Sequence, residues 1–369
     1  MRGGFNIYRK KMISPLEMTA LISLCSFFNA FILVSDKAAT FNGSSSLILK
    51  AFGFLLSFII ALPPLFLLSR HRGMGLIECA YDLTGKFGTV IALLYFCFFM
   101  LMSLNTVTGV EFFLTSTVYN LDSQFLILTL FSLLLLYTLY AGLEPLGRTA
   151  VVIFVLFLII VALILIFLIP QFNLEYLYSP FYDGLEPYIS RIPVVLSQNN
   201  TFIPLFVLFP FVSCSKKKLF SVINTVNLVV IELLMFAATA VLGDYTPKNI
   251  FSMYTLVTMI NTAKIHRLDS IHIAVWVLLS FVRTALLLYC ACFCLKNAVP
   301  PRLHKYVIPF TVLLFFAGGY FFSSSYDILH LLYNTVYSGI PTLAAEIVLP
   351  SLLLMISLVR KKKNDKKQT

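Results

Sequence analysis

Four charged side chains stand out inside stretches that are otherwise apolar: Lys50, Glu111, Glu232 and Arg283. A charge in such a stretch is costly to bury and points to function by default. Arg283 has Ser280 one turn before it and Thr284 beside it. Two roles fit this arginine. One is a structural ion pair with Glu232. The other is a position on a central cavity, where a guanidinium holds a carboxylate or replaces a coupling cation. Glu111 follows Ser103, Asn105, Thr106, Thr108 and Gly109, the most polar run within any apolar stretch. That run either lines a cavity or lets helices pack closely through small residues. Lys50 lies near the outer end of its stretch, where a long side chain snorkels to the interface. His266 and His272 also read as interfacial.

Other chemistries find little support. The seven cysteines imply no disulfide framework. Cys290, Cys292 and Cys294 have a spacing that suggests a metal, but on a helix Cys292 points away from the other two, so they read as small core residues. No cluster of His, Cys and carboxylates has metal-ligand spacing, and no phosphate-binding loop or nucleophile elbow appears. The expectation is no enzyme, no catalytic residue, no metal and no cofactor. The net charge of +11 is scattered over separate loops, which argues against a nucleic-acid partner.

The elements that must position these residues are ten apolar stretches: 13–35, 45–68, 88–118, 123–141, 149–169, 194–213, 219–243, 270–295, 305–323 and 340–359. Hydrocarbon offers no water to backbone amides, so a helical crossing of roughly 20 apolar residues is the economical solution. Composition agrees: 59% hydrophobic, 12% charged, with a mean hydropathy of +0.92. The class is therefore all-α integral membrane with ten transmembrane helices. Residues 1–369 form one polytopic domain, with 1–12 as N-terminus, 13–359 as ten-helix core and 360–369 as a basic, disordered tail.

Lys and Arg sort the loops into two sets. One set carries Arg2, Arg9, Lys10 and Lys11; Arg70, Arg72 and Lys86; Arg148; Lys216, Lys217 and Lys218; Lys296, Arg302 and Lys305; and the cluster from Arg360. The other carries only Lys37, Arg191, Lys248, Lys264 and Arg267. Both termini are expected in the cytoplasm, with the tail drawn to anionic membrane lipid. The segment 171–193 is expected to be irregular with a short interfacial helix, and Ile250–Ile260 too short to span.

Ten crossings divide into five and five, with the first and sixth in opposite senses, as an inverted repeat requires. In such folds the first helix of each half is often interrupted and binds substrate at the midplane. The sixth stretch fits, with Asn199, Asn200 and Thr201 ahead of Pro204 and Pro210. The first has no Gly, and no Pro beyond Pro15 at its start, but places Ser23, Ser26 and Asn29 roughly on one face.

Particular residues carry a resemblance. Ile13-Ser14-Pro15 opens the first stretch, and Ala-Gly-Leu-Glu-Pro-Leu-Gly-Arg-Thr-Ala occupies 141–150. Arg267-Leu268-Asp269 leads to Trp276, Phe281, Arg283 and Tyr289, and the last stretch runs from Pro341 past Pro350 to Arg360-Lys-Lys-Lys. In this order they resemble the spore germination permease family, the B-type subunits of nutrient germinant receptors, within the amino acid–polyamine–organocation superfamily. The resemblance implies the five-plus-five inverted repeat and a pocket for a small nutrient, typically an amino acid. It implies partnership with an A-type membrane subunit and a C-type lipoprotein in the spore inner membrane. By fold analogy the ligand residues are Ser26, Asn29, Ala30, Thr106, Asn200, Thr201, Ser280, Arg283 and Thr284. Glu144 and Arg148 read as a structural, local ion pair. The chain departs from superfamily transporters in having Phe28-Asn29-Ala30 and Asn199-Asn200-Thr201 where glycine-bearing breaks are usual.

Three readings remain open on sequence: a receptor subunit, an amino-acid carrier driven by protons or sodium, and a scaffold with a degenerate pocket. In the carrier version Glu111 or Glu232 is the titrating group.

Overall fold

The computed structural model describes residues 12–31, 43–71, 73–117, 124–177, 186–189, 192–198, 202–248, 251–260 and 268–368. Among these the chain is helical. No strand occurs among them, only an isolated parallel bridge between Ile13 and Val212.

In chain order the helices begin with α1 Pro15–Phe31, α2 Gly43–Ile60, α3 Leu62–Arg70, α4 Leu76–Thr84 and α5 Gly88–Thr117. Next come α6 Gln124–Ala141, α7 Leu143–Leu168, α8 Glu186–Ile189, α9 Ile192–Gln198 and α10 Phe202–Leu208. Then follow α11 Lys216–Leu242, α12 Ser252–Met259 and α13 Leu268–Ala298. The last are α14 His304–Ser323, α15 Tyr326–Tyr337, α16 Ile340–Leu343 and α17 Leu349–Gln368. A π-helical turn, Ala344–Val348, links α16 to α17.

Among the described residues, eight helical stretches are long and apolar enough to cross a membrane: Ser44–Arg70, Leu76–Thr117, Gln124–Ala141, Leu143–Gln171, Lys216–Leu242, Asp269–Ala298, Pro301–Ser323 and Tyr326–Arg360. Pro15–Phe28 and Phe202–Phe211 are shorter apolar helices. Each expected apolar stretch overlaps one of these. Two features differ, the start of the last stretch and the form of the tail, while the two outer segments are as expected. The last stretch begins earlier, with α15. The segment 250–260 holds the short α12, and 171–193 holds the single turn α8, short 3-10 turns and the start of α9. The basic tail, expected to be disordered, continues α17 as helix to Gln368, since Lys and Arg suit a helix C-terminus.

Packing ranks the helices by depth. Residues Met18 to Phe28 of α1 are all buried, and α13 is buried through most of its inner half. A helix that is buried all round belongs at the centre of a bundle. α1 packs against α7, α11 and α13, and α13 makes its most extensive contact with α5. By contrast α6, α7 and α14 expose apolar faces, including Leu133 and Tyr137, Val152 and Ile159, and Phe310 and Leu313. Lipid solvates such faces as well as protein does.

Side-chain bonds gather the basic-rich loops at one end. Lys216 Nζ donates to the Leu68 carbonyl at 2.9 Å, Arg360 to the Asp82 carbonyl at 2.8 Å, and the Tyr81 hydroxyl to the Asn297 carbonyl at 2.8 Å. Ile13 N–H donates to the Phe211 carbonyl at 3.0 Å, tying the start of α1 to the 3-10 turn Phe209–Phe211 that follows α10. Ser14 and Glu17 then form a reciprocal capping box that starts α1. At the opposite end Gln171 bonds the Met259 carbonyl and Gln124 the Ser323 carbonyl. Arg148 and Glu144 make the expected local pair at 2.6 Å.

Candidate functional site

Arg283 sits near the middle of α13 and is 2% exposed. Its Nε–H donates to Thr106 Oγ1 on α5 at 3.0 Å. Its Nη1 donates to the Cys25 carbonyl on α1. The guanidinium lies over the Phe28 ring, 4.8 Å from its centroid. Phe28 in turn stacks on Trp276 with centroids 5.8 Å apart. Trp276 and Arg283 are seven residues apart on α13, two turns on one face. The Phe28 ring therefore contacts both the indole and the cation.

The ion pair with Glu232, one of the two roles open on sequence, does not form. α1 lies between α11, which carries Glu232, and α13, which carries Arg283. Glu232 instead has Lys50 on α2 as its facing charge. Lys50 is half-buried, and no ion pair within 4 Å joins it to Glu232, whose Oε1 makes no hydrogen bond.

Around Arg283 the structure gathers buried polar atoms that make no hydrogen bond. Asn105 Oδ1 and Tyr337 OH are of this kind, and Tyr333 OH, also unbonded, lies one turn along the same helix, toward Thr108 and Glu111. Tyr337 faces Asn105 and Arg283, and Tyr333 faces Thr108, without reaching bonding geometry. Buried polar groups are nearly always bonded, so such a concentration needs a reason. Both tyrosines stand on α15, which carries Asp327, His330 and Asn334 on its other face. No continuous apolar run marks that segment, so the sequence reading missed it. The usable signal is the i, i+4 pair of aromatic residues on an amphipathic helix.

Above the site is an aromatic roof. Phe113 on α5 meets Trp276 at 4.5 Å between centroids, Phe251 at 4.8 Å and Tyr254 at 5.5 Å. Phe251 and Tyr254 belong to the α12 segment. Beside it is a small apolar cavity of ≈ 20 Å³, lined from α7, α11, α12 and α13 and including His272. That volume holds about one water molecule. His272, expected at the interface, is buried under α12, 6% exposed.

The remaining expected site residues divide. Ser26 is buried and accepts a 2.7 Å bond from Asn227 on α11, so it ties two helices together. Ser280 and Thr284 flank Arg283, but their hydroxyls donate to carbonyls of their own helix, Trp276 and Ser280. Asn29 and Ala30 continue the α1 backbone; their side chains, and all of Asn200 and Thr201, lie outside the described residues. Glu111 is buried away from Arg283, where it accepts a 2.6 Å bond from Ser323 on α14. The buried carboxyl Glu346 was not singled out in the sequence reading at all; one of its oxygens is unbonded.

The profile of a spore germination protein family matches residues 12–326 of this chain. No curated protein matches it.

Proposed function

The chain belongs to the spore germination permease family, and on that premise we propose that it is the B-type subunit of a nutrient germinant receptor. It binds a small nutrient carrying a carboxylate, such as an amino acid, between α1, α5, α13 and α15. The observation that carries this reading is the buried Arg283 guanidinium beside the unbonded polar atoms of Asn105 and Tyr337. A guanidinium offers several donors to a carboxylate, while the amide and phenol supply acceptors and a donor for the rest of the ligand. Phe28, Trp276 and Phe113 suit an apolar portion.

On this reading the chain makes ten crossings in two inverted halves of five and is a single membrane domain, with α1 and the α9–α10 pair as the interrupted helices. Both termini are cytoplasmic, and the basic tail meets anionic lipid. The partners are an A-type subunit and a C-type lipoprotein. The roof formed by α12 and Phe113 opens for the nutrient and closes over it, and that closure passes to the partners. Asn29, Ala30, Asn200 and Thr201 extend the pocket toward the helix breaks.

A secondary carrier is the second reading, favoured by the buried carboxyl of Glu111. Spores lacking this gene distinguish the two. Dipicolinate release is followed after adding amino acids, sugars or nucleosides, with vegetative uptake of the same compounds as control. The receptor reading predicts loss of response to particular nutrients with uptake intact. Normal germination with lost uptake would establish the carrier.

A further inference from the structure

Glu346 lies in the π-helical turn Ala344–Val348, between Pro341 and Pro350. Proline has no N–H to donate. In a π-turn the carbonyl five residues before Pro350 is that of Ala345, which therefore loses its helical donor. The Tyr95 hydroxyl of α5 takes that place, donating to the Ala345 carbonyl at 2.8 Å. The bulge is thus a built feature that turns Glu346 inward.

The Glu346 side chain is 5% exposed, and its Oε1 makes no hydrogen bond. Thr342, about one turn earlier, is fully buried with its hydroxyl unbonded as well. The elements packed on the bulge are α10, α16 and α17, with Tyr95 from α5. α10 and α16 carry no titratable side chain. Tyr95 is the titratable group that faces Glu346, and Cys294 is the next one beyond it. The next charge along its own helix is Arg360, which is engaged by the Asp82 carbonyl. No cation faces Glu346 among the described residues. Along α5, Tyr95 precedes Thr106 by about 16 Å of helix. Glu346 therefore lies between the Arg283 cluster and the end where the basic loops gather.

We propose that Glu346 is a proton-binding site: it carries a proton while α10 packs on the bulge and releases it to water when that contact opens. An ionised carboxylate with an unbonded oxygen and no counter-charge would be strongly disfavoured there. The neutral acid fits, and its O–H is a donor for the Thr342 hydroxyl. Release passes the proton from the carboxyl oxygen to a water molecule, leaving the carboxylate hydrated. The site does not depend on the receptor reading, since both a sensor and a carrier can use it.

The test uses the full chain in lipid nanodiscs. Infrared difference spectra between wild type and Glu346→Gln should contain the C=O stretch of a protonated carboxylic acid at neutral pH, and that band should bleach as pH rises. Dicyclohexylcarbodiimide, which reacts with protonated carboxyls in apolar surroundings, should modify Glu346 of the wild-type chain, less so at high pH. This arm needs no variant to fold. Hydrogen exchange in 202–208 should rise with pH more steeply in wild type than in Glu346→Gln at matched pH. Absence of the band, or carbodiimide modification of Glu111 or Glu232 without Glu346, would overturn the site. Identical exchange at every pH would overturn its coupling to α10.

Discussion

Arg283 Nε and Thr106 Oγ1, 177 residues apart in the chain, are joined by a 3.0 Å hydrogen bond in the centre of the bundle. The Thr106 hydroxyl also donates to the Met102 carbonyl at 2.8 Å, so its oxygen is oriented to accept from the guanidinium. The bond fixes Arg283 on α5 while the Cys25 carbonyl fixes it on α1. Replacing Thr106 by Val keeps the shape and leaves the Nε–H without this acceptor, a cost of about 1–3 kcal/mol. Thr106→Val should raise the nutrient concentration for half-maximal dipicolinate release about tenfold or more. Ser280→Ala and Thr284→Val should leave it unchanged, because those hydroxyls serve their own helix.

Lys50 on α2 and Glu232 on α11 are opposite charges on two helices that pack together, though no bridge within 4 Å joins them. Removing one partner strands the other charge in an apolar setting, whereas removing both does not. Lys50→Met and Glu232→Gln should each lower the melting temperature of the purified protein, and the double variant should recover part of the loss. Additive losses would show that the two charges do not interact.

Ser26 is the α1 end of the bond from Asn227. Interhelical bonds of this kind in membranes average about 0.6 kcal/mol. Ser26→Ala should lower the melting temperature slightly and leave the nutrient response threshold in place. A shifted threshold with unchanged melting would return Ser26 to the ligand site.

Gly339 turns the chain between α15 and α16 at φ 79°. A methyl group there would stand 2.5 Å from the Pro193 carbonyl oxygen. Both the left-handed backbone and the close approach require glycine. Gly339→Ala should therefore sharply reduce folded yield, measured by size-exclusion chromatography, whereas Gly318→Ala, against the flexible Leu104 side chain, should be mild.

The apolar helices were legible because each buries a long continuous stretch, and the loop charges separated the two ends. Arg283 was legible for the same reason: one guanidinium in an apolar helix stands out. Its partners were not. Whether Arg283 pairs with Glu232 depends on α1 running between α11 and α13, an arrangement no local pattern encodes. Tyr333 and Tyr337 escaped because α15 is amphipathic and reads as a polar connection. Glu346 escaped because a single carboxyl near the start of the last apolar stretch looks like an interfacial residue. Only the bulge imposed by Pro350 and the Tyr95 contact show that it is buried. Ser280 and Thr284 were overvalued, since adjacency to Arg283 says nothing about where a hydroxyl donates.

The central claim is that Arg283 holds the carboxylate of the nutrient. The most direct measurement is equilibrium binding of a nutrient that triggers germination to the purified chain, comparing wild type with Arg283→Lys and the nutrient with its carboxamide. Lysine keeps the charge but loses the planar fork. The account predicts at least a tenfold loss of affinity in Arg283→Lys at unchanged melting temperature, and a similar loss for the carboxamide on wild type. Equal affinities for acid and amide, together with undiminished binding by Arg283→Lys, would contradict it.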